Sequence, residues 1–158
     1  MQMSQHGLAL LQQWEGFELN VYRDSAGLPT IGVGHLLKKS ELSSGKIIIN
    51  GVPVKYGGGL AEQQALDLLS QDLAPTTQAV TNGVKVTLNQ NQFDALTSFT
   101  FNVGIGAFTS STLLKALNQG QLDQAPTQLM RWTRSSGQVV QGLVNRRQNE
   151  IKLWNGEI

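Results

Sequence analysis

The chain has 158 residues, enough for one domain with a sizeable core, and carries twelve Lys and Arg against eleven Asp and Glu. This near balance argues against a dedicated nucleic-acid binder, which normally shows a strong basic excess. There is no cysteine, which excludes disulfides, thiol nucleophiles and cysteine zinc sites. Only two histidines are present, His6 and His35, far apart in the chain, which argues against a metal site.

The sequence shows no sign of membrane targeting. Its N-terminus lacks a cationic region followed by an apolar core, so no signal peptide is predicted. No apolar run is long enough to span a bilayer, so stable membrane insertion is not expected.

The first predicted helix begins after Ser4, a typical N-cap residue, and ends at Gly16. Glu15 continues the line of Leu8 and Leu11 at helical spacing, which predicts that its carboxyl lies on the inward stripe. Desolvation there, and the negative end of the helix dipole, favour the protonated form. Glu15 is therefore a candidate general acid; the alternative is an ordinary surface glutamate.

Two short strands are predicted next, over residues 19–22 and 28–33, around a run of turn formers that contains Asp24. A carboxyl group in such a turn should be solvated and ionised. Two carboxyl groups in contrasting surroundings, Glu15 and Asp24, suggest an acid and a base.

The second predicted strand has an unusual composition. Thr30, Gly32 and Gly34 alternate along it and are expected to share one face. We expect the two glycines to leave that face open for a ligand beside the Thr30 hydroxyl.

Residues 38–59 are expected to be irregular, apart from a hairpin over residues 47–54. Asn50-Gly51 is a strong hairpin-turn signal, and Pro53 places its strand at an edge.

The rest of the chain is predicted to be helical. Residues 87–90 offer helix-cap chemistry ahead of an apolar pattern that includes Phe99. The last helix carries Arg146 and Arg147, for which a solvated basic pair is the simplest interpretation. The predicted helices run from Leu60 to about Ala79 with a kink at Pro75, from Gln90 through Phe99, from Thr112 through Leu117, from Leu122 to Trp132, and through Val140, Val144, Ile151 and Trp154.

The order and spacing of these residues resemble the phage-type lysozymes, glycoside hydrolase family 24. Eight residues separate Glu15 from Asp24 and five separate Asp24 from Thr30, which leads into Ile31-Gly32-Val33-Gly34-His35-Leu36. Further similar segments follow in the same order, at residues 98–104, 107–114, 131–132 and 142–147. The length of residues 38–59 is closer to the lambdoid-phage members than to the T-even enzyme.

The resemblance implies an α+β, lysozyme-like fold, mainly helical, with a small antiparallel sheet lobe and a cleft between two lobes. It implies a single lysozyme domain over residues 1–158. Its expected parts are an N-terminal helix at 4–15, a sheet lobe at 16–59, a linking helix at 60–80 and a helical lobe at 81–158.

The implied activity is hydrolysis of the β-1,4 bond between N-acetylmuramic acid and N-acetylglucosamine in peptidoglycan, without metal or cofactor. Glu15 is then the acid, while Asp24 stabilises positive charge and, with Thr30, holds the attacking water. That assignment implies inversion, with the two carboxyl groups roughly 6.5–9.5 Å apart.

The resemblance also assigns supporting roles, for each of which an ordinary surface or capping role is the alternative. Arg146 should bond Glu15, and a pair between His35 and Asp72 should tie the lobes together. The expected substrate contacts are Leu36, Phe101, Thr112 and Gln128.

The implied biology is that of an endolysin. The protein would be a monomer made in the host cytoplasm that acts on the cell wall and depends on a separate phage holin for access. The alternatives are a lytic transglycosylase, a catalytically silent wall-binding module, and a bacterial toxin with the same chemistry.

Overall fold

The first helix, α1, occupies Gln5–Glu15 in the computed structural model, which describes residues 1–158. The Ser4 hydroxyl accepts a hydrogen bond of 2.9 Å from the Gly7 backbone N–H, so Ser4 caps the helix as predicted. Gly16 ends it with a φ of 76°, in the left-handed region that favours glycine.

The N-terminal cap is also anchored to a buried carboxylate. Asp94, fully buried, accepts hydrogen bonds from the Ser4 backbone N–H at 3.0 Å, from the Ser4 hydroxyl and from the Gln90 amide at 2.8 Å. A Cβ at Gly7 would lie 2.6 Å from an oxygen of Asp94, so the close approach requires glycine.

The chain packs as two compact units. One is continuous and comprises Leu8–Ala74. The other is discontinuous and combines Met1–Gly7 with Pro75–Ile158.

The continuous unit contains two small antiparallel sheets and two helices in addition to most of α1. Its elements are β1 (Glu18–Arg23), β2 (Pro29–Gly32), β3 (His35–Leu36), α2 (Lys39–Ser44), β4 (Lys46–Ile49), β5 (Val52–Lys55) and α3 (Glu62–Asp72). β2 is the middle strand of the first sheet, and β4 pairs with β5 in a hairpin. The core beneath them is made of Ile31, Leu37, Ile47, Ile49, Tyr56, Leu60 and Leu68.

The predicted hairpin is confirmed, since Asn50 and Gly51 form its turn with φ angles of 51° and 77°. Both central residues of such a turn need positive φ. The prediction that the surrounding residues are irregular is wrong, because α2 precedes the hairpin and ends at Gly45.

The predicted open face on the second strand is also wrong. β2 ends at Gly32, and the chain reverses through Val33 and Gly34, with φ angles of 65° at Gly32 and 71° at Gly34. Gly34 therefore does not share a strand face with Thr30. Gly32 faces α3, where an added Cβ would lie 3.8 Å from Leu68.

The discontinuous unit is mainly helical. Its elements are α4 (Ala74–Gly83), α5 (Gln90–Val103), α6 (Ile105–Thr109), α7 (Thr112–Asn118), a 3₁₀ turn (Leu122–Gln124), α8 (Ala125–Leu129), β6 (Arg134–Ser135), β7 (Gln138–Val139) and α9 (Gln141–Trp154). α5 packs against α9. β6 and β7, each two residues long, form a short hairpin. None of the helices combines the length and the apolar character needed to cross a bilayer.

Helix boundaries follow the local signals in most places. Asn89, within the run expected to supply the cap, accepts a hydrogen bond of 2.8 Å from the Gln92 N–H and so caps α5. The helix expected from Leu60 to Ala79 is divided at Leu73, just before Pro75. The helix expected over residues 122–132 is reduced to the 3₁₀ turn and α8, and Pro126 lies in the first turn of α8, a position that tolerates proline.

Candidate active site

Glu15 is the last residue of α1, and its side chain is exposed. The prediction that it is desolvated on the inward stripe is therefore wrong for the free protein. Leu8 and Leu11 are buried as expected, but the helix ends at Glu15 and the apolar stripe stops with it.

Asp24 organises the turn between β1 and β2. One oxygen of its carboxylate, Oδ1, accepts hydrogen bonds from the backbone N–H groups of Ala26 and Leu28, both at 2.9 Å. The side chain is half-buried, and these bonds fix its orientation. The predicted turn is thus confirmed. The second oxygen of the Asp24 carboxylate, Oδ2, accepts neither of these two hydrogen bonds.

Leu28 connects Asp24 to Thr30 through main-chain atoms. Its carbonyl accepts hydrogen bonds from the Asp24 N–H at 3.0 Å and from the Thr30 hydroxyl at 2.9 Å. Because the hydroxyl proton points to this carbonyl, the oxygen of Thr30 presents lone pairs to any further partner. Residue type could not have revealed Leu28, since only its backbone takes part.

The register of the first sheet places Leu36 beside this pair. Thr30 lies directly opposite Leu36 on β3 and opposite Tyr22 on β1. Thr30 is buried, whereas Leu36 is about half exposed. Asp24, Thr30 and Leu36 are therefore brought together by adjoining parts of one sheet.

His35 lies between two carboxylates. Its Nδ1 is 2.7 Å from Oδ2 of Asp72, so the predicted pair is present. Its Nε2 is 2.9 Å from Oε1 of Glu41, a partner that the sequence did not indicate. All three residues belong to the continuous unit, so the expectation that the pair ties two lobes together is wrong.

Burial lowers the pKa of His35, but the hydrogen bonds and negative charges of Asp72 and Glu41 outweigh burial and raise that pKa above its ordinary value. The charged imidazolium is thus the form that this arrangement stabilises.

The expected substrate contacts Phe101, Thr112 and Gln128 lie in the discontinuous unit. Thr112 and Gln128 line the same cavity of about 280 Å³, together with Arg131, which donates a hydrogen bond of 3.1 Å to the Gln128 side chain. Phe101 is half-buried near the end of α5 and does not line this cavity. The role of these residues as substrate contacts stays a prediction.

Arg146 takes part in a buried polar network. Its Nε lies 3.2 Å from Oε2 of Glu150, and its Nη2 donates to the Ser98 hydroxyl at 3.1 Å. The Ser98 hydroxyl in turn donates to Glu150 at 2.6 Å. A bond between Arg146 and Glu15 stays a prediction.

Arg147 belongs to the same network and is fully buried. Its Nε lies 2.8 Å from Oε1 of Glu150, and its Nη2 donates to Asn102 at 2.5 Å. The guanidinium also lies 5.0 Å from the ring centre of Phe99. The interpretation of residues 146 and 147 as a solvated basic pair is therefore wrong.

Glu150 is the common partner of both arginines and is fully buried. Burial raises the pKa of Glu150 above its ordinary value, while the charges of Arg147 and Arg146 and the Ser98 hydrogen bond act against that rise. No local feature of the sequence indicates a buried carboxyl group at this position.

A family model described as phage lysozyme matches residues 12–150, a range that includes Glu15, Asp24, Thr30 and the buried network. The chain belongs to the phage lysozyme family. It is 41% identical to an endolysin of Bacillus phage PZA over 98% of its own length, although it spans only 55% of that relative.

Two solved structures agree with this assignment. The crystal structure of a mutant form of P22 lysozyme has 35% identity and a TM-score of 0.82, covering 98% of this chain and 99% of the other. The muramidase domain of SpmX from Asticaccaulis excentricus has 34% identity and a TM-score of 0.77, with 97% of each chain covered. This phage lysozyme family member is thus a glycoside hydrolase with a lysozyme-like α+β fold, as predicted.

The raised pKa of His35 makes the stability of this lysozyme family member depend on pH. The stabilisation is fully present below the ordinary histidine value of 6.5 and is lost as the pH rises through the higher folded-state pKa. We expect His35→Gln to lower the unfolding free energy by about 1.5–3 kcal/mol near pH 6, and by less in alkaline buffer. Urea unfolding at a series of pH values measures this.

The matched control is His6→Gln, since His6 is exposed and is the only other histidine. An equal loss of stability for His35→Gln at all pH values would show that the imidazolium charge does not contribute.

Proposed function

We propose that this chain is an endolysin with muramidase activity that hydrolyses the β-1,4 bond between N-acetylmuramic acid and N-acetylglucosamine in bacterial peptidoglycan, causing host lysis at the end of phage infection. Family membership supports this proposal, as do the relatives that are named endolysin and muramidase. The observation that carries it is the connection of Asp24 to Thr30 through Leu28, which suits a site that positions water.

In this proposal Glu15 protonates the glycosidic oxygen as the bond breaks. Asp24 stabilises the positive charge that develops at the anomeric carbon. The Thr30 hydroxyl donates its hydrogen bond to the Leu28 carbonyl. The hydroxyl oxygen can therefore only accept a hydrogen bond from the attacking water. With Asp24 as a second acceptor, a lone pair of the water is directed to the anomeric carbon. As the new C–O bond forms, the water gives one proton to Asp24, which is compatible with inversion.

The remaining residues act on binding and positioning. Leu36, Phe101, Thr112 and Gln128 contact the glycan, and Arg146 bonds Glu15. The His35–Asp72 pair holds β3 against the end of α3. No cofactor is needed for this chemistry. Holin-dependent access to the cell wall and a monomeric state stay predictions.

Fragments released from purified peptidoglycan provide the test. We expect the wild-type protein to give reducing N-acetylmuramic acid ends, detected by mass spectrometry. Asp24→Asn should give the same ends about 10²–10³-fold more slowly, because it removes the charge. Asparagine retains Oδ1, the atom that accepts both turn hydrogen bonds, so the turn should persist.

Asp123→Asn is the control, since it removes the same charge from an exposed residue in the 3₁₀ turn. Anhydro ends from the wild-type protein would instead identify a lytic transglycosylase and remove the water-positioning role of Asp24 and Thr30. A folded wild-type protein that releases no fragments would favour a wall-binding module.

A further inference from the structure

Positive charge is concentrated around the β4–β5 hairpin. Residues 38–55 carry four lysines and one glutamate, a net charge of +3, whereas the other 140 residues carry eight basic and ten acidic side chains, a net charge of −2. All four lysines are exposed, and none of their ammonium groups forms an ion pair or hydrogen bond within the chain. These lysines are Lys38, Lys39, Lys46 and Lys55.

The outer face of the hairpin combines this charge with apolar surface. Lys46 lies directly opposite Lys55, and Ile48 lies directly opposite Pro53 on the same face. Like charges in direct cross-strand positions weaken a hairpin. Ile48, on this face, is more than half exposed. Neither arrangement stabilises the hairpin itself, which points to an external partner.

The same face forms one wall of a groove of about 420 Å³ within the continuous unit. Lys38 and Lys46 both line it. The acidic groups that line it, Glu41 and Asp72, are bonded to His35, whose positive charge offsets part of theirs. The groups left to attract a partner are therefore the ammonium groups and the aliphatic side chains.

Lysine and proline on edge strands can also serve to prevent aggregation. This alternative explains Lys46, Lys55 and Pro53, which lie on a two-stranded sheet, in which each strand is an edge strand. It does not explain Ile48, because an exposed aliphatic residue on an edge promotes association rather than preventing it.

We propose that this surface binds the anionic headgroups of a phospholipid bilayer. Lysines attract lipid phosphates, and exposed aliphatic residues insert at the boundary with the acyl chains. A soluble polyanion would use the lysines but not the aliphatic residues. The basic hairpin surface, as we define it, consists of Lys38, Lys46, Ile48, Pro53 and Lys55.

Vesicle co-sedimentation with the full chain tests this inference. We expect binding to vesicles of equal parts phosphatidylglycerol and phosphatidylcholine, but not to phosphatidylcholine alone, and weaker binding as salt screens the charges. Replacing Lys46 and Lys55 with glutamine should lower the partitioning of the protein onto the phosphatidylglycerol vesicles about fivefold for each lysine. Ile48→Ser should lower it further without changing the salt dependence.

The matched control replaces Lys115 and Lys152 with glutamine. Both are exposed and lie outside the basic hairpin surface, so the net charge falls by the same amount. An equal loss of binding in this control would overturn the proposal, because net charge alone would then explain binding. Absence of binding, or equal binding to both vesicle types, would also overturn it.

Two further outcomes would assign the surface to another role. Aggregation of the Lys46 and Lys55 variant with unchanged vesicle binding would identify edge protection. Binding of sodium polyphosphate that displaces the vesicles and is unaffected by Ile48→Ser would identify a soluble polyanion as partner. Thermal melting followed by circular dichroism checks that each variant is folded, and peptidoglycan cleavage should be unchanged in all of them.

Discussion

Replacing Glu15 with glutamine is expected to lower the rate of fragment release from peptidoglycan by about 10²–10⁴-fold, the usual contribution of a general acid. Glutamine retains the shape of the side chain but cannot transfer a proton to the leaving oxygen. Release of reducing ends by the purified variant is the measurement.

Glu18→Gln is the matched control, because Glu18 is an exposed carboxylate on β1, three residues further along the chain. It should retain full activity. Full activity of Glu15→Gln would show that another group supplies the proton.

Replacing Glu150 with glutamine is expected to lower the unfolding free energy by about 3–5 kcal/mol, the cost of breaking a buried ion pair from one side. Glu150 is the carboxylate shared by the buried guanidinium groups of Arg146 and Arg147. Glutamine can still accept a hydrogen bond from Ser98, but it leaves these two positive charges without their shared counter-charge. Urea unfolding at neutral pH measures the loss.

Glu157→Gln removes the same charge from an exposed position near the C-terminus and should change stability little. Removing Arg147 and Glu150 together, with apolar replacements, should cost less than Glu150→Leu alone, because only one of the two guanidinium groups that share Glu150 then stays buried. A loss below about 1 kcal/mol for Glu150→Gln would contradict the role of the carboxylate as a counter-charge.

Features encoded by neighbouring residues were predictable from the sequence. The caps at Ser4 and Asn89 and the Asn50-Gly51 turn each depend on hydrogen bonds or φ angles within a few residues. The turn at Asp24 is of the same kind, because the Asp24 carboxylate accepts its hydrogen bonds from the nearby N–H groups of Ala26 and Leu28. Local chemistry decides these features, so the residue types reveal them.

Features that depend on distant partners were not predictable in the same way. The buried face of α9 carries Arg146, Arg147 and Glu150, and these charged groups form hydrogen bonds with Ser98 and Asn102 on α5. Helical periodicity assigns such residues to the solvent, because it measures only apolar character. Glu15 shows the opposite error. Periodicity assigns it to the interior, because it continues an apolar stripe, but the helix ends at Glu15 and its side chain is exposed.

The bond between Ser4 and Asp94 has a consequence for the order in which the chain can fold during synthesis. Ser4 leaves the ribosome ninety residues before Asp94, its buried partner. All residues of the continuous unit are available once Ala74 has been made, and domains generally fold as units during synthesis. The first seven residues, although made first, belong to the unit that is completed last.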